Sequence, residues 1–158
     1  MTKFFLSLHV LAAIIAVGPV TVAASMFPPA LRQALAAPGP PGAPGPLVTL
    51  RTLHRICRVY AAVGIAVPVF GFATASSLGV LGSAWLITSI VLTAGAAAIL
   101  LLLLLPGQEQ ALAAAQDGET PGPAASAARL ALLTGVFNLL WTVVTVLMIV
   151  RPGSTTGA

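Results

Sequence analysis

Few side chains in this sequence could do chemistry. They are two histidines, His9 and His54, one cysteine, Cys57, and the arginines Arg51, Arg55 and Arg58. Imidazole and thiolate are ligands for copper, zinc and haem iron. His54 and Cys57 stand three residues apart, so on a helix both could touch one ion. Two ligands do not close a metal site, however, and no further His, Cys or carboxylate lies near them in sequence. At helical spacing Arg51, His54, Arg55 and Arg58 share one face, with Leu53, Ile56, Cys57 and Tyr60 on the other. Thr49 is placed to cap that helix. A face of this kind suits the headgroups of anionic lipid, at about 1 kcal/mol per arginine near the surface.

His9 stands apart because it is the ionisable residue well inside an apolar run, which makes it a functional candidate by default. Its helical neighbours Ala12, Ala13 and Ala16 are small, the mark of a face made for close helix packing. Two readings follow: a neutral histidine hydrogen-bonded inside a bundle, within reach of Thr145 or Trp141 of the last span, or a ligand to haem b or copper. A third group is polar but not ionisable. Thr134, Asn138, Trp141 and Thr145 recur at i, i+4, i+7 and i+11, forming one stripe that should face other helices, because an unpaired amide in hydrocarbon is costly.

Composition says what must position these groups. Charged residues make up 6% of the chain and hydrophobic ones 58%, which excludes an ordinary soluble domain. The net charge of +4 could suggest nucleic acid, but five of the seven Lys and Arg flank apolar runs, where they control topology. Four runs are long enough for a ~30 Å hydrocarbon core: 4–25, 56–75, 84–105 and 130–150. The first is longer than the apolar part of a signal peptide and carries His9, so it reads as a span. The expected fold is all-α, a transmembrane four-helix up-down bundle forming one membrane domain over 1–158.

The connections are equally distinctive. Residues 26–48 read as a Pro/Gly-rich loop whose stretch 37–46 suits a solvated polyproline-type linker. Residues 106–128 hold all three acidic residues and read as an acidic loop, with a short surface helix over 108–116. Gly18–Pro19 should kink its helix, because Pro19 cannot donate to the Ile15 carbonyl, and Pro68 should leave the Gly64 carbonyl without its helical donor. Arg32, Arg51, Arg55, Arg58 and Arg129 lie on one side, against Lys3 and Arg151 on the other. The positive-inside rule then puts both long loops in the cytoplasm and both termini outside. His9 and His54 would differ in depth by ~20 Å, whereas one metal between two imidazoles needs nitrogens ~4 Å apart, so they cannot share a cofactor.

Catalytic signatures are missing: the sequence has no G-x-S-x-G, no phosphate-binding Walker loop and no zinc-type Cys/His spacing. No Asp or Glu lies in any span, so a carboxylate proton relay is absent and a transport path would be thin. The stretch Ser7–Leu8–His9–Val10–Leu11–Ala12–Ala13–Ile14–Ile15–Ala16–Val17–Gly18 resembles the first helix of a bacterial family of small four-span integral membrane proteins of unknown function. That family is similar in plan to copper-resistance-D-like membrane proteins and to the four-span protoporphyrinogen oxidase of the haem pathway. In the haem-pathway relatives a first-helix histidine and a lysine on a later helix are implicated. This sequence matches the histidine at His9, while its single lysine is Lys3. The expectation is a structural or accessory protein of the bacterial cytoplasmic membrane, with anionic lipid, a membrane protein or a second copy of itself as partner. A haem- or copper-binding protein using His9, or a small transporter subunit, are the alternatives.

Overall fold

The computed structural model describes residues 2–36, 45–122 and 125–153. These residues are almost wholly helical and form four long rods. Helix α1 spans Thr2–Ala36. Helices α2 (Pro46–Val63) and α3 (Ala66–Leu78) share the second rod, with a break at Gly64–Ile65. The third rod runs through α4 (Ala84–Ala98), a π-helical stretch (Ile99–Leu104) and α5 (Leu105–Asp117). Helix α6 spans Ala127–Val150. Each rod is long and apolar enough to cross a membrane, and the four pack as an up-down bundle. Helix α1 packs on α2 and α3 along one side and on α6 along another. Helix α4 packs on α6, and α5 closes against α2.

The rods outrun the spans expected from hydropathy. The helix of the first span covers Lys3–Ala36, 34 residues and thus about 50 Å, against a hydrocarbon core of ~30 Å. Counted from the end bearing Lys3, Leu78, Trp85 and Arg151, that thickness runs out near residues 24, 58, 105 and 131. The excess therefore emerges at the other end, which holds every acidic residue and five of the seven basic ones. There the bundle is packed as a water-exposed protein must be. Phe27, Leu31, Leu50, Cys57, Leu104 and Ala111 are fully buried there, in one cluster that also takes in Leu53, Leu100, Leu130 and Phe137. Further along, Ile14, Val69, Phe72, Val91, Leu139 and Val146 are exposed. Lipid solvates such side chains as well as a neighbouring helix does, so packing them inward gains little. The opposite end is held by a smaller cluster of Ala75, Trp85 and Leu86 with Met148 against it. Arg151 lies 5.8 Å over the Trp85 ring and donates from Nε to the Met148 carbonyl at 3.2 Å. Helix α6 stops there because Arg151, which precedes Pro152, leaves the right-handed helical region for φ 45°.

Three expectations drawn from proline need correction. Residues 26–36, placed in a loop, continue α1 straight through Pro28 and Pro29. Burial of Phe27 and Leu31 against the α2 cluster offsets the lost backbone bonds. Pro106–Gly107 does not end the third rod. The π-helical stretch before it gives the Leu105 N–H the Leu100 carbonyl, widening the turn where the proline ring would collide with the preceding one. Residues 105–117 are consequently helix α5, packed inward through Gln108 and Ala111 rather than lying on a surface. Pro68 does interrupt the second rod, but the Gly64 carbonyl is not left empty, since Val67 donates to it at 3.1 Å. Thr49 is not a cap: α2 starts three residues earlier, at Pro46, with Gly45 before it. The proline-rich stretch 37–44 lies outside the described residues.

Candidate functional site

The polar groups sort into three places along the bundle. Nearest the termini is His9, partly buried between α1 and α3. Its Nδ1 lies 2.9 Å from the Val67 carbonyl oxygen. A carbonyl only accepts, so Nδ1 is the donor in this contact. The Cε1–Nδ1 edge of the ring abuts Gly71. A Cβ built at that glycine would meet His9 Cε1 at 2.9 Å and Nδ1 at 3.0 Å, closer than side chains tolerate. Glycine is thus the residue that lets α3 come near enough to be hydrogen-bonded. His9 therefore finds its partner on α3. The partners expected on the last span do not meet it: Thr145 is exposed and donates back to the Trp141 carbonyl at 2.8 Å, and the Trp141 indole N–H has no hydrogen-bond partner among the described residues.

For haem b or copper, His9 has one free nitrogen, Nε2. His54 lies thirteen residues before Val67 along the second rod, about 20 Å away, and Cys57 sits on that same distant end. Among the described residues no three His, Cys, Asp or Glu side chains gather as a metal site would require. The residues present do not fit a centre held by two protein ligands at His9.

At the loop-bearing end His54 forms a different unit. It is buried with 8% exposure, on the seam between the arginine face and the core. Its Nδ1 lies 3.3 Å from Gln108 Oε1, and Gln108 Nε2 donates to Cys57 Sγ at 3.7 Å. One amide thus accepts from the imidazole and donates to the sulfur, satisfying both residues of the i, i+3 pair from a second rod. Sequence reasoning missed Gln108 because the stretch it begins, 108–116, reads as a short helix on the surface. The signal was the small-residue spacing Gly107, Ala111, Ala114, Ala115, which marks a helix face for close packing.

Outside this seam Arg51, Arg55 and Arg58 are exposed on one face of α2, as the spacing predicts. Arg55 and Arg58 line, with His54 and Val59, an open cavity of about 500 Å³. Among the described residues none of the guanidinium groups pairs with a carboxylate.

The third place is the contact of α6 with α1. Thr134, 3% exposed, donates from Oγ1 to the Ala24 carbonyl at 3.4 Å. Asn138 Nδ2 donates to Ser25 Oγ at 3.3 Å, while its Oδ1 is buried without a partner among the described residues. Trp141 packs edge-on against Phe137 with centroids 6.3 Å apart, and its Nε1 is likewise buried and unpaired. The stripe thus divides: Thr134 and Asn138 reach α1, Trp141 packs through its ring, and Thr145 does not join a helix contact.

No protein-family model, curated protein or solved structure matches the chain. The chain stands, on its four helices, as a four-span polytopic membrane protein.

Proposed function

We propose that this protein is a structural or accessory component of the bacterial cytoplasmic membrane that seats its cationic end on anionic lipid. The observation that carries the proposal is the set of guanidinium groups on Arg51, Arg55 and Arg58, which pair with no carboxylate among the described residues and are aligned on one face just beyond the level where the hydrocarbon ends. Their position beside the bilayer favours lipid headgroups over nucleic acid as the counter-charge. Both termini lie outside in this proposal, because five of seven basic residues flank the two long connections. The likeness of residues 7–18 to small four-span membrane proteins agrees with it. An accessory role works through a membrane partner protein or a second copy, and the long exposed apolar faces suit either lipid or a neighbouring helix.

The test is thermal unfolding of the protein in nanodiscs of zwitterionic lipid and of lipid containing phosphatidylglycerol. The anionic discs should raise the midpoint for the natural protein, and Arg51→Gln/Arg55→Gln/Arg58→Gln should erase the gain. An equal midpoint in both discs for the natural protein would overturn the proposal.

A further inference from the structure

A groove of about 320 Å³ opens between α1 and α6, away from the α2 arginines. Pro28 and Pro29 form part of its wall and offer no backbone N–H to an occupant. Gly135 lines it too, and a Cβ there would meet nothing within 4 Å. The groove is in part the space of a side chain that is not there.

Its polar groups stand at two levels. Arg32 lines it and is exposed, without a carboxylate partner among the described residues. Asn138 lines it at the level of Ser25, with its amide nitrogen on the Ser25 hydroxyl. The Asn138 amide nitrogen carries two hydrogens, so the one given to Ser25 leaves a second N–H for an acceptor in the groove, while the buried Oδ1 is out of an occupant's reach. Arg32 is seven residues beyond Ser25, about 10 Å along the helix. Counted along α1 the groove begins where a ~30 Å core ends, near residue 24, and counted along α6 it reaches ~10 Å inside that edge. In a bilayer that edge is where phosphates give way to glycerol esters.

We propose that the groove holds one anionic phospholipid. The phosphodiester sits on Arg32, whose planar guanidinium presents paired N–H groups to two phosphate oxygens. The glycerol-ester region lies over Pro28, Pro29 and Gly135, with an ester carbonyl accepting from the Asn138 amide. The α2 arginines would answer to any anionic surface. The groove demands a phosphate and an ester oxygen on one molecule, at a fixed separation.

The full-length protein in detergent is titrated with phosphatidylglycerol and followed by native mass spectrometry, with inorganic phosphate as competitor. One lipid should be retained preferentially. Arg32→Gln should weaken its retention about tenfold, the loss of one charged hydrogen-bonding partner. Gly135→Leu should abolish it by filling the groove, and since nothing crowds that position and leucine favours helix, the variant folds. Arg51→Gln/Arg55→Gln/Arg58→Gln should leave it unchanged, which separates this proposal from the one about the cationic face. Unaltered retention in both Arg32→Gln and Gly135→Leu would overturn the assignment. Full displacement by inorganic phosphate would overturn it too, by showing a site for phosphate alone.

Discussion

The Thr134 hydroxyl of α6 donates to the Ala24 carbonyl of α1, and Ala24 is the residue whose helical donor is abolished by Pro28. A proline inside a helix frees the carbonyl four residues before it, and in an apolar setting that group must find another donor. The two features, a threonine on the fourth rod and a proline in the first, are halves of one contact. They show why α1 can run through a double proline without stopping.

Thr134→Val keeps the shape of the side chain and removes the donor. It should destabilise the detergent-solubilised protein by roughly 0.6 kcal/mol, up to ~2, whereas Thr134→Ser should be nearly neutral. Thermal unfolding of the two variants side by side decides it. Equal effects would mean that the hydroxyl is not what supports Ala24.

Gly71→Ala should push the His9 ring off α3 and break its bond to Val67, at a cost of about 1–3 kcal/mol. The same methyl should be tolerated once the ring is gone. A double-mutant cycle with His9→Ala therefore has a clear sign: the pair should be less destabilising than the sum of the singles. Strict additivity would remove His9 from contact with Gly71.

Gln108→Leu leaves the buried His54 N–H without its acceptor and should cost about 1–3 kcal/mol. Cys57, fully buried in the natural protein, reports on the loosening. Its alkylation by a small thiol reagent should speed up in Gln108→Leu and remain slow in a control, Gln33→Leu, at an exposed position. Unchanged alkylation would show that the amide does not hold α5 against α2.

Topology has its own measurement. Gly45→Cys in a Cys57→Ala background should react with a membrane-impermeant reagent only after cells are opened. Reaction in intact cells would place both long connections outside and reverse the proposed orientation.

The arginine face of α2 was legible because it depends on spacing alone: residues at i, i+4 and i+7 share a helix face wherever the helix is put. The polar stripe of α6 was legible only in part. Thr134 and Asn138 meet α1, but α1 does not follow the stripe as far as Thr145, which turns outward. Gln108 was not legible, since its role needs α5 to continue a rod through Pro106 and then to face α2.

Four spans, an all-helical bundle and the gathering of charge at one end were determined by the sequence by itself. Each follows from quantities summed along the chain, apolar length against bilayer thickness and the count of basic residues by side, with no knowledge of which helix lies beside which. Tertiary structure alone decided that His9 serves α3, that one glutamine joins His54 to Cys57, and that α1 and the third rod survive their prolines. Those outcomes depend on the rotation of each helix about its axis. In lipid, which solvates Leu and Val equally well from any side, rotation is set by the few polar groups that must find partners and the few glycines that let backbones approach.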